Sequence, residues 1–114
     1  MATVRTHLAS GTVTTSATET TIYQPTGTKI GTCGSLTFFN SSTTATILVT
    51  VYGPHAGAAA NEDLIDEFYL GPRDSYLCRN AINKVASGAS SQLFSVECDT
   101  GGDVLTFSMD GTEG

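Results

Sequence analysis

The sequence predicts an all-β fold: an antiparallel β-sandwich, jelly-roll-like, with about eight or nine short strands. Three observations predict it. Short segments rich in Val, Ile, Thr, Tyr and Phe alternate apolar with polar residues, Gly, Pro, Asn and Asp punctuate them at spacings of roughly 8 to 12 residues, and no stretch carries a convincing helical period. Composition points the same way, since Ser and Thr supply roughly a quarter of the chain while charged residues make up only 14%. Thr tolerates a half-exposed pleated position and gives a helix little help. A chain of 114 residues can bury about two-thirds of its unfolded surface, enough to fold without a metal or disulfides. We expect a single β-sandwich domain over residues 12–114, preceded by an N-terminal arm or first strand over residues 1–11.

In chain order, Met1 to Thr18 alternates weakly through Val4, Leu8, Val13 and Ala17. This fits one or two short strands joined at Ala9-Ser10-Gly11, or an extended arm ordered by a neighbour. Thr20 to Asn40 reads as a strand, a Pro-Thr-Gly turn and a longer strand, hairpin-like, closed by a second turn at Asn40, Ser41 and Ser42. Pro25 sets an extended or turn φ there, and Gly27 supplies a positive one. Ala45 to Tyr52 is the clearest strand. Ile47, Val49 and Val51 form its core face, and Leu48 and Tyr52 lie on a hydroxyl-rich face that suits a second buried layer or a contact with a partner. Gly53 to Ala60 is a long loop, with a short helical turn at Ala58 to Ala60 as an option. Residues 64–79 read as a hairpin around Gly71-Pro72-Arg73-Asp74. Between Asn80 and Ser91, Ile82 and Val85 suit a short strand, with a turn at Ser87 to Ser90. Phe94, Val96 and Cys98 then form an apolar face, Asp99-Thr100-Gly101-Gly102 reverses the chain, and Leu105, Phe107 and Met109 form another. No internal repeat occurs, which speaks against a solenoid or propeller.

The net charge is −6 and the pI about 4.5, with Arg5, Lys29, Arg73, Arg79 and Lys84 scattered along the sequence. Nucleic acid, which demands clustered Lys and Arg, is not an expected partner. No apolar run approaches the ~20 residues of a membrane span, and the first ten residues lack the apolar core of a signal peptide, so we expect a protein made in a cytoplasm. Cys33, Cys78 and Cys98 are odd in number and contain no CxxC pair, which argues for buried free thiols over a disulfide framework or a zinc site.

The chemistry-bearing residues do not assemble into a known constellation. His7 and His55 are not followed by a GxSxG elbow, although either could meet Cys33 or a serine in space. Glu62, Asp63, Asp66 and Glu67 form an acidic run without the DxDxDG loop of a calcium site, and Glu97, Asp99 and Asp103 flank a second turn. Solvated acidic surface is the simpler reading of both sets. A carbohydrate cleft would want opposed carboxylates and stacking aromatics, yet the chain has no Trp, leaving Tyr23, Tyr52, Tyr69 and Tyr76 for that duty or for packing. Asn40-Ser41-Ser42 matches the glycosylation sequon but reads more simply as a turn. We expect no catalytic, cofactor-binding or metal-binding residues, no cofactor and no enzymatic activity.

The segments TIYQPTGTK, SLTFFNSST, ATILVTVYG, EFYLGPRDSYLC and DVLTFSMDGTE together resemble the small β-sandwich virion proteins of tailed bacteriophages. That group is similar in an opening built on Thr, Tyr, Pro and Gly (Thr21, Tyr23, Pro25, Gly27), a strand ending in Asn-x-Ser (Asn40, Ser42), a strand-turn-strand from Tyr69 to Tyr76, and a closing G-x-E (Gly111, Glu113). The likeness runs from residue 12 onward. Two features depart from it: Gly71-Pro72-Arg73-Asp74 stands where the group often has Pro-Gly-Glu, and Cys33 and residues 80–91 have no counterpart.

The resemblance implies a structural virion protein, foremost a capsid decoration (cement) protein that binds the assembled lattice and stabilises the head. Its implied partners are the major capsid protein and copies of itself, as a homotrimer, and its implied location is the capsid surface. A tail, adaptor or fibre component is the alternative, and a glycan-binding module a more remote one. Met1 to Leu8 and Gly53 to Glu62 are the candidate contact segments.

Overall fold

The computed structural model describes residues 6–13, 18–99 and 103–114. Nine strands occur among them: β1 (Thr6–Val13), β2 (Thr20–Tyr23), β3 (Ile30–Asn40), β4 (Ile47–His55), β5 (Leu64–Leu70), β6 (Ser75–Leu77), β7 (Val85–Ser87), β8 (Leu93–Cys98) and β9 (Leu105–Glu113). The only helical pieces among the described residues are single 3-10 turns at Asn61–Asp63, Arg79–Ala81 and Gly88–Ser90. No helix there is long and apolar enough to cross a membrane.

The strands form two antiparallel sheets, one in the order β1-β9-β3-β6 with β7 also paired to β3, the other in the order β2-β8-β4-β5. This is the jelly-roll order. The chain behaves as one long ribbon folded back on itself, with β1 against β9, β2 against β8, β3 against β6 and β7, and β4 against β5. Rolling that ribbon sends alternate strand pairs to opposite sheets, and β3–β9 and β4–β8 contacts then complete each sheet.

The inward faces meet in one core. Leu36 and Phe38 of β3, with Leu105, Phe107 and Met109 of β9, face Ile47, Val49 and Val51 of β4 and Phe94, Val96 and Cys98 of β8, and all are buried. The alternation read for β4, β8 and β9 therefore holds residue by residue, as a period of two demands of a sheet with one buried face.

Three supposed reversals are crossovers between the sheets. β2 and β3, β5 and β6, and β8 and β9 each lie in different sheets, so residues 64–79 are not a hairpin and Thr20 to Asn40 is not a hairpin-like unit. The local chemistry is the same in both cases: turn residues between two alternating segments. What differs is the inward face of the returning strand, which only the opposite sheet decides. Among consecutive strands, β4 and β5 do pair directly; β4 continues through Gly53 and Pro54 to His55, so the loop expected from Gly53 begins only after His55, and its helical turn lies at Asn61–Asp63 and not at Ala58 to Ala60. At the N-terminus, β1 is one continuous strand through Ala9, Ser10 and Gly11, with a register slip between His7 and Ala9. The Thr100 to Gly102 turn, residues 14–17 and the Met1 to Arg5 part of the first contact segment lie outside the described residues.

Candidate functional site

The ends of β2 and β9 converge on one corner. The Tyr23 hydroxyl, at the end of β2, donates a hydrogen bond to Glu113 Oε2 at the end of β9, and Lys29 Nζ lies 3.6 Å from Glu113 Oε1. Burial, then the bond to Glu113, pushes the Tyr23 phenol well above its ordinary range. Gly27 takes its expected positive φ of 58°. The turn it shapes is held by Gly88, whose N–H donates to Lys29 O at 2.8 Å, and backbone bonds between Ile30 and Gly114 extend the β3–β9 ladder past it. The opening and closing motifs are thus two halves of one contact that spans both sheets. The sequence reading had both halves but no means of pairing them.

At another corner His55 is 5% exposed, with Nε2 at 2.8 Å from Ser95 Oγ and 3.1 Å from Glu19 Oε2. Glu19 Oε1 also accepts the Ala59 N–H at 2.9 Å. The residue types are those of a hydrolytic triad, but the geometry differs: a triad places the nucleophile and the carboxylate on opposite ring nitrogens. Here both sit at Nε2, Ser95 is fully buried, and Nδ1 has no partner. The arrangement fastens the base of the Gly53–Glu62 segment to the strands below it. Residues 56–58, above that base, are exposed. Sequence reasoning missed Glu19 and Ser95, since neither belongs to a motif.

The other candidates are dispersed. His7 is exposed beside Asp110 and Ser10, remote in the fold from His55. Cys33, Cys78 and Cys98 are buried, and none is in a disulfide. Burial raises the Cys78 thiol to about 12, with Asp66 adding to the effect, and burial also raises Cys98. Asp66 turns to the rim between the sheets, where it accepts the Tyr76 hydroxyl at 2.7 Å, and Tyr76 stacks on Phe68. Its neighbour Glu67 turns the other way and accepts Thr50 Oγ1 at 3.0 Å. Glu62 and Asp63 belong to the 3-10 turn, Asp99 accepts the Leu48 N–H, and the Asp103 N–H donates to Val13. No group of three or more His, Cys, Asp or Glu among the described residues is arranged to hold a metal.

The outer face of β8-β4-β5 forms a small grid. Thr50 is paired with Glu97 on one side and Glu67 on the other; in the flanking rows Leu48 pairs with Tyr69, and Tyr52 lies between Ser95 and Leu64. Tyr69 is 74% exposed and Leu64 44%. Burial and then the nearby Glu97, Glu19 and Glu67 carboxylates raise the Tyr52 phenol. Leu48 and Tyr52 therefore belong to an open, acidic and aromatic surface and not to a second buried layer.

No protein-family model matches the chain, and no curated protein matches it. Two solved structures of infectious bursal disease virus contain chains similar to it. For the Gx strain the identity is 14% and the TM-score 0.38, over 98% of this chain and 30% of that one. For the Gt strain the identity is 11% and the TM-score 0.27, over 97% of this chain and 31% of that one. The chain thus spans less than a third of the length of either, and the architecture assigned above rests on the strand order.

Proposed function

We propose that this chain is a structural virion protein that decorates an assembled capsid. The observation that carries the reading is the jelly-roll strand order, an architecture used by viral capsid domains and lectins, in a chain whose exposed apolar and charged groups are spread over broad sheet faces. Binding of this kind draws on area, hydrogen bonds and contacts multiplied by lattice symmetry, and needs no catalytic set. The segment Gly53 to Glu62 supports it further, because residues 56–58 project from a base clamped by His55 and Glu19. On this reading the partner is a capsid lattice, the location is the capsid surface, and the chain is not an enzyme. Purified protein mixed with expanded phage capsids is expected to co-sediment with them and to raise their resistance to heat. Protein that stays at the top of the gradient and labels tails in immunogold microscopy would assign it to the tail instead.

A further inference from the structure

Single exposed apolar side chains are ordinary, but here they are sorted. Tyr69 and Leu64 lie on β5, on the grid with Glu67 and Glu97. Ile30, Leu77 and Val85, at 50%, 39% and 48% exposure, lie on the other sheet, on β3, β6 and β7. The charges are sorted with them. None of β2, β4, β5 and β8 contains a Lys or Arg, whereas Lys29 precedes β3, Arg73 turns into β6, Arg79 follows β6 and Lys84 precedes β7. Arg73 lies over the Phe39 ring of β3 at 5.4 Å, on that same side.

We propose that the acidic, aromatic face of β4-β5-β8 docks on the basic, apolar rim of β3-β6-β7 in a second copy of this chain. Within one molecule β5 touches β6 and the turn after it only along the rim, where Tyr76 bonds Asp66 and Asn80 bonds Ile65 O, while the outward side chains Glu67 and Tyr69 belong to one sheet and Leu77 and Val85 to the other. A contact of either surface with its own twin would set like charge against like. Only a head-to-tail, heterologous contact brings Glu67 and Glu97 against Arg79 and Lys84 while covering Tyr69 and Leu64 with Leu77 and Val85. Such a contact closes into a ring if the rotation between copies allows, and otherwise grows as a filament. Being partly electrostatic, it weakens as salt is raised. This inference does not depend on the capsid reading: a chain that associates without binding capsids retains it, and a capsid-binding monomer refutes it alone.

The test is sedimentation equilibrium of the full chain, from micromolar to near-millimolar concentration, for wild type, the Glu67→Lys/Glu97→Lys variant, the Arg79→Glu/Lys84→Glu variant and an equimolar mixture of the two variants. Wild type is expected to associate, each variant to associate at least about tenfold more weakly, and the mixture to recover association because its faces are again opposite in sign. Glu67, Arg79 and Lys84 are exposed and Glu97 is half-buried, and unchanged thermal unfolding of each variant confirms that the fold is intact. A monomeric wild type, association untouched by the Arg79 and Lys84 reversal, or a mixture that stays dissociated would each overturn the proposal.

Discussion

The side-chain nitrogen of Asn40 faces three backbone carbonyls, those of Ala45, Leu70 and Gly71 at 2.8, 3.0 and 3.0 Å, while its Oδ1 accepts the Ser42 N–H at 3.0 Å. One fully buried amide thus ties the end of β3 to both the turn that follows it and the crossover from β5 to β6. Asn40→Asp replaces a donor with a carboxylate facing those carbonyls, and a loss of about 2 kcal/mol or more is expected in urea denaturation. An unchanged midpoint would remove Asn40 from this role. The rim residues Cys78 and Tyr76 give a pH dependence. Burial raises Cys78 from 9.0 to about 12, and the bond to Asp66 raises Tyr76 from 10.0 to about 12. Both are acids whose folded pKa lies above the unfolded one. Their contribution is therefore complete below about pH 9 and is lost as the pH rises toward about 12. Thermal unfolding is expected to be insensitive to these groups from pH 7 to 9 and to fall steadily above, less steeply in Tyr76→Phe; a flat profile to pH 11 would contradict this. Being buried, the three thiols should react with Ellman's reagent only as fast as the chain unfolds.

Among the elements, the ends of β2 and β9 both pack closely on β3. A Cβ on Gly31 would run into the Tyr23 ring, with Cζ at 2.7 Å, and one on Gly111 would meet the Thr32 carbonyl and Gly34 N, the latter at 3.0 Å. Tyr23 can give way and the β3 backbone cannot. Gly31→Ala is therefore expected to cost about 1–3 kcal/mol and Gly111→Ala more, the order being readable from paired denaturation curves. The clamp at His55 makes a separate expectation. Glu19→Ala removes the acceptor of the Ala59 N–H, so amide exchange at Ala59 should accelerate while β4 and β8 stay protected; unchanged exchange would mean that the Gly53–Glu62 segment is held by something else.

These elements also divide what was legible from what was not. The faces of β4, β8 and β9 were readable because alternation alone determines them. Gly27 and Asn40 were readable as turn residues because their chemistry is local. The crossovers β2–β3, β5–β6 and β8–β9 were not readable as crossovers, since a turn looks the same whether the chain returns to its own sheet or to the opposite one. Nor were the Tyr23–Glu113 and His55–Glu19 contacts, separated by 90 and 36 positions, because pairing across such distances is a property of the roll.

At the scale of the whole molecule, the jelly roll uses its interior for packing, and the proposed function places its contacts on the surfaces. The core consumes Phe38, Phe94 and the other inward side chains, the corners consume Tyr23, His55 and Glu113, and the sheet faces and the 56–58 projection remain for partners. The proposed virion role rests on the jelly-roll strand order and uses those surfaces, and the most direct test is an electron cryomicroscopy reconstruction of phage particles that carry the chain. The account predicts two-sheet density of this size on the outside of the head, repeated with the symmetry of the lattice. Density confined to the tail or fibres would contradict it.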